Sequence, residues 1–109
     1  MIVAIDYDGT YSRFPEQFTE LRKSFQKIGA KVYIVTARYK DKMPIIDHDL
    51  SDFDNVIYCS NKAKAAVVKA DIFIDDNPVT LCCDMNFDDF DNIAAFPSSD
   101  LHQTYEEED

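Results

Sequence analysis

Residues 1–10 read MIVAIDYDGT: an apolar run, two aspartates one residue apart, then glycine and threonine. Ile2 to Ile5 are apolar on both faces of a strand, which suits a strand covered from both sides, as in a parallel sheet. Two carboxylates at its carboxyl end carry a Coulombic cost that chemistry or a cation must repay.

Pro15 is acceptable at a helix's first position, and Phe14, Phe18, Leu21, Phe25 and Ile28 form a stripe spaced by three and four residues. Gly29 supplies a left-handed stop. The run KVYIVTAR then predicts a second strand over 31–35, ending at Thr36. Strand, helix, strand makes a βαβ unit. Pro44 is read as opening a short helix with Ile45, Ile46 and Leu50. NVIYC predicts a third strand, and SNKAKAAVVKA a helix capped by Ser60 or Asn61 with Ala63, Ala66, Val67 and Ala70 inward. DIFID predicts a fourth strand, Asn77 and Pro78 open a further helix, and NIAAF is an edge strand. The expected fold is therefore α/β: a Rossmann-like three-layer sandwich on a mainly parallel sheet of about five strands. One domain over 1–100 and a disordered acidic tail over 101–109 account for the chain.

The chain has 109 residues, enough for one core without disulfides or structural metals. No apolar run approaches the ~20 residues of a membrane span, and MIVAI lacks the basic start of a secretory signal, so a cytoplasmic protein without membrane contact is expected. Cys59, Cys82 and Cys83 show no metal-ligand spacing and are read as reduced thiols. His48 and His102 lack partners at ligand spacing and are read as solvated; Phe14, Phe18 and Phe25 are read as core. Net charge is −10, unevenly placed: all eleven basic residues lie between Arg13 and Lys69, while 70–109 hold twelve acids and no base. That layout disfavours wrapping a duplex.

In parallel sheets, ligands bind beyond the carboxyl ends of the strands. There the chain offers Asp6 and Asp8, Thr36, Ser60 to Lys62, and Asp75 and Asp76. Oxygen donors of this kind suit Mg²⁺. A calcium-binding EF-hand loop starting at Asp6 fails, because glycine falls at position four instead of six and position twelve is Gln17. A phosphate-binding P-loop cannot be assembled from Gly9 and Gly29 alone.

DYDGT, IVTAR, SNKAK and FIDDNP, in that order over residues 1–78, resemble the motifs of the haloacid dehalogenase superfamily of phosphotransferases. The resemblance implies a Mg²⁺-dependent phosphomonoester hydrolase in which Asp6 is the nucleophile and forms an aspartyl-phosphate. It implies Asp8 as proton carrier, Thr36 as donor to a phosphoryl oxygen, and a helix-borne lysine as the fixed positive charge. Lys62 is preferred for that charge, as it lies at the first turn after the third strand; its rival, Lys64, is rotated by about 200° on a helix. The metal would be held by Asp6, the Asp8 carbonyl, Asp76 and, as a second ligand or as an orienting group for the lysine, Asp75. Thr10 and Arg38 are the substrate-side residues. Intervals too short for a cap domain imply an uncapped member. Arg13, Arg38, Lys40, Lys42, Lys62 and Lys64 favour a nucleotide or a nucleic-acid end as the phosphorylated substrate. The alternatives are transfer to an acceptor other than water, and a non-enzymatic acidic binding or inhibitor protein on the same fold.

Overall fold

The computed structural model describes residues 1–86 and 94–97. Its centre is a four-stranded parallel sheet of β1 (Ile2–Asp6), β2 (Lys31–Thr36), β3 (Asn55–Tyr58) and β4 (Ile72–Ile74), in the order β3-β2-β1-β4. The chain steps outward from β1 to β3 and then returns across the sheet to lay β4 on the free side of β1. The strand order therefore reverses between β1 and β4, which opens a crevice at their carboxyl ends.

β1 is central because its residues can be dry on both faces: Val3, Ala4 and Ile5 are at most 1% exposed. Val3 and Ile5 join Val32 and Ile34 on one face, under Phe18, Leu21 and Phe25 of α1 (Pro15–Lys27). Ala4 and Val35 face the other way, with Cys59, Val68, Tyr33 and Phe73. The two-residue strand period sorts the side chains between the two cores.

Several expected elements are shorter or differently placed. Among the described residues the main sheet has four strands, where about five were expected. NIAAF contributes to β6 (Ala94–Pro97), which pairs antiparallel with β5 (Cys83–Asn86) in a separate two-stranded sheet. The helix expected over 60–70 shrinks to α2 (Lys64–Val67), because Ser60 and Asn61 take left-handed φ values of 52° and 62° and form a turn instead of a cap. Val67 is accordingly exposed. The helix expected at Pro44 does not form; Leu50 is buried and Ile45 packs on the core, whereas Ile46 is exposed. In α3 (Val79–Cys82), Asn77 supplies no side-chain cap.

Phe14, expected in the core, is exposed just before the first turn of α1, where the Arg13 guanidinium covers its ring at 5.3 Å. His48 is not solvated: its Nδ1 lies 2.6 Å from the hydroxyl of buried Tyr7, and its ring meets Tyr7 and Tyr11 edge-on. His102 and the expected tail over 101–109 fall outside the described residues. Among the described residues, no helix is long and apolar enough to cross a membrane.

Candidate functional site

Register brings the acids together. Ile5 of β1 is paired with Ile74 of β4, so the next residues, Asp6 and Asp75, leave the sheet side by side. Neighbouring strands run about 4.8 Å apart, leaving room for one small cationic group between two carboxylates. Lys64 fills it. Its Nζ donates to Asp6 Oδ1 and to Asp75 Oδ2, both at 2.7 Å, and the lysine is only 2% exposed.

The lysine expectation is thereby corrected: Lys62 is exposed on the turn before α2 and makes no contact with the acids among the described residues. The left-handed turn at Ser60 and Asn61 delays the helix, so its first residue is Lys64. The 200° separation that counted against Lys64 assumed a helix starting earlier.

The other Asp6 oxygen is also engaged. Thr10 Oγ1 donates to Asp6 Oδ2 at 2.9 Å and accepts the Asp76 backbone N–H at 3.3 Å. Thr10 is buried and works as a brace between the β1 and β4 ends. The wide turn Tyr7–Tyr11 that carries it closes through the Ser12 N–H donating to the Tyr7 carbonyl at 2.9 Å. Gly9 adopts φ +81° in that turn, and a Cβ there would overlap the Asp76 carboxylate. Glycine is thus required both by backbone and by space.

Asp75 and Asp76 divide their roles by partner. Asp75 accepts from Lys64, from the Asn77 N–H at 2.9 Å and from Thr80 Oγ1 at 3.2 Å, which holds its carboxylate against the lysine. The Asp76 side chain is exposed and has no hydrogen-bond partner among the described residues. One oxygen from each of Asp6, Asp75 and Asp76 lies within 4.8 Å of the others. Three carboxylates less one ammonium leave a local charge of −2, which a divalent cation would neutralise. An all-oxygen donor set of this kind fits a hard ion such as Mg²⁺. Asp8 lines the same cleft, but its side chain is not part of this tight group.

Burial pushes the Asp6 carboxyl up to about 6, outweighing the pull of Lys64 in the other direction. Burial also works against the Lys64 ammonium, but hydrogen bonds and charge from Asp6 and Asp75 hold it above its ordinary value. Asp6 is therefore more basic than a free aspartate.

The cleft over these groups is about 220 Å³, lined by Asp6, Asp8, Ala37, Lys64, Asp75, Asp76, Asn77 and Thr80. Thr36 lies beneath it, fully buried, and its Oγ1 accepts the Arg38 backbone N–H at 3.2 Å. The expected phosphoryl donor is thus enclosed by the fold, and the next residue, Ala37, lines the cleft. Arg38 reaches the rim, where it pairs with Asp8 through two hydrogen bonds of 3.0 and 2.7 Å. Thr80, Tyr7 and His48 were not singled out as site residues; only Asn77-Pro78, which promises a turn placing a hydroxyl near Asp75, carried a signal.

Comparison with known proteins finds no matching family model, no matching curated protein and no matching solved structure. The chemistry of the cleft rests on its own residues.

Proposed function

We propose that the cleft transfers phosphoryl groups, and that the protein is a Mg²⁺-dependent phosphomonoester hydrolase on an uncapped, Rossmann-like fold of the haloacid dehalogenase kind. The observation that carries this reading is the Asp6 carboxylate. It is buried, raised to about 6, held on both oxygens, and set beside one lysine and two further acids at the reversal point of a parallel sheet.

Asp6 attacks phosphorus. An aspartyl O–P bond forms, the ester P–O bond breaks, and the leaving oxygen takes its proton from Asp8. Water then attacks the same phosphorus and gives its proton to Asp8; the aspartyl O–P bond breaks and Asp6 is regenerated. Like charges keep a carboxylate and a phosphate dianion apart, so the site needs fixed positive charge at the transferring group. Lys64 supplies one such charge from a position that needs no rearrangement. Mg²⁺ held by Asp6 and Asp76 would supply the rest, with Asp75 keeping Lys64 aimed.

The segment that follows β2 favours a polynucleotide end or a nucleotide as the ester. Arg38, Lys40 and Lys42 follow β2 directly, with Tyr39 between them and the Lys42 ammonium 4.8 Å from its ring centre. Cations interleaved with an aromatic suit a phosphate backbone and a base.

A phosphate-release assay with a chromogenic phosphate ester tests the reading. Turnover is expected with Mg²⁺, and loss of turnover on chelation or with Asp6→Asn. Turnover that survives either change overturns the mechanism. Partner capture indifferent to Asp6→Asn, with no phosphoester turned over, would favour the acidic binding protein.

A further inference from the structure

Both oxygens of Asp8 are occupied. Arg38 Nε donates to Asp8 Oδ2 at 3.0 Å and Arg38 Nη2 donates to Oδ1 at 2.7 Å. The side chain assigned to proton transfer at the leaving oxygen is therefore clasped before any ligand arrives.

The rest of the guanidinium is held by other groups. Nη1 donates to the carbonyls of Met43 and Pro44, each at 3.4 Å. The Tyr7 ring lies 5.0 Å from Arg38 Cζ, and buried Tyr7 is itself fixed through its hydroxyl to His48. One edge and one face of the guanidinium are thus set by the protein. Among the described residues the remaining edge meets only Asp8, whose side chain is 55% exposed and is followed by Gly9. Two parallel N–H groups fit two oxygens of a phosphate as well as those of a carboxylate. Asp8 and Ala37, the neighbours of this fork, both line the cleft.

We propose that Arg38 is an exchangeable anion fork: a second anionic group on the substrate displaces Asp8 from Nε and Nη2, and the exchange leaves the Asp8 carboxylate free of its ion pair. This rests on the phosphoryl-transfer reading of the cleft and narrows its substrates. Esters with a phosphodiester or second phosphate beside the leaving oxygen are favoured over esters with an uncharged leaving group. An ion pair with so exposed a carboxylate is a weak competitor, costing an incoming anion less than about tenfold in affinity. The rival account is a purely structural clasp that staples the 38–54 segment to the turn Tyr7–Tyr11.

The test uses the full chain, ¹⁵N-labelled and kept in chelator, with the Arg38 Nε–H resonance assigned by its loss in Arg38→Lys. Inorganic phosphate is titrated against chloride at constant ionic strength. A saturable shift of that resonance is expected, with affinity about three- to tenfold tighter in Asp8→Asn, where the competing carboxylate is gone. Asp8→Ser serves the same purpose should the asparagine variant not fold. No shift in either protein, or equal or weaker binding once Asp8 is replaced, overturns the exchange. A shift in a protein that hydrolyses no ester supports the fork while removing the hydrolase reading, so the two fail separately.

Discussion

Replacing Lys64 by methionine asks how much the buried charge arrangement depends on its single cation. The ammonium lies 2.7 Å from each of two carboxylates whose side chains are only 6% and 3% exposed. Methionine fills most of the space but leaves Asp6 and Asp75 facing one another without compensation. Breaking a buried pair from one side costs about 3–5 kcal/mol, far beyond what a surface substitution does. Urea unfolding at pH 7 in chelator should show that loss for Lys64→Met and a change within about 0.5 kcal/mol for exposed Lys62→Met. The deficit should also depend on pH. Asp6 titrates near 6 in the fold against 3.8 in the unfolded chain, so its charge burdens the native state above pH 6 and ceases to below 3.8. Without Lys64 that burden grows, and the deficit should narrow as pH falls from 7 towards 4. Excess Mg²⁺ at pH 7 should recover part of it. Equal losses for the two lysine variants, or a deficit that widens on acidification, would contradict the role given to Lys64.

Two further substitutions probe the frame around the cleft. Gly9→Ala places a Cβ at φ +81° and against the Asp76 carboxylate; it should cost about 1–2 kcal/mol in unfolding experiments from backbone strain alone, and weaken Mg²⁺ binding measured by calorimetry. Asp54 accepts the Val32 N–H at 2.7 Å and returns its own N–H to the Val32 carbonyl at 2.9 Å. Asp54→Ala should cost about 1 kcal/mol near neutral pH. The Val32 N–H holds the Asp54 carboxyl below its ordinary value, so this contribution is present above the unfolded-state value and should vanish as pH falls through the folded one.

The four strands of the parallel sheet were legible because each is a short apolar run ending in polar residues, and period two alone divides Val3 and Ile5 from Ala4; β5, with the sequence CDMN, carries no such signal. Asp6, Asp75 and Asp76 followed from those ends. The lysine did not, because choosing between Lys62 and Lys64 depends on where a helix begins. Ser60 and Asn61 in left-handed conformations move that start by several residues, and no hydrophobic period records such a turn. The Arg38–Asp8 fork and the Tyr7–His48 bond join positions 30 and 41 residues apart. They depend on how the helix-free 38–54 segment lies against the turn Tyr7–Tyr11, a matter of tertiary packing with no local pattern. Phe14 was misread for a related reason: it continues the apolar stripe of α1, but the helix begins after it.

In the proposed mechanism Asp6 becomes phosphorylated during turnover. Acid-quenched protein, taken during hydrolysis of a phosphate ester with Mg²⁺ and digested for mass spectrometry, tests this directly. One added phosphoryl group on the peptide carrying Asp6, absent from Asp6→Asn, is the predicted result. Turnover with the phosphoryl group found on another residue, or equally present in Asp6→Asn, would contradict it.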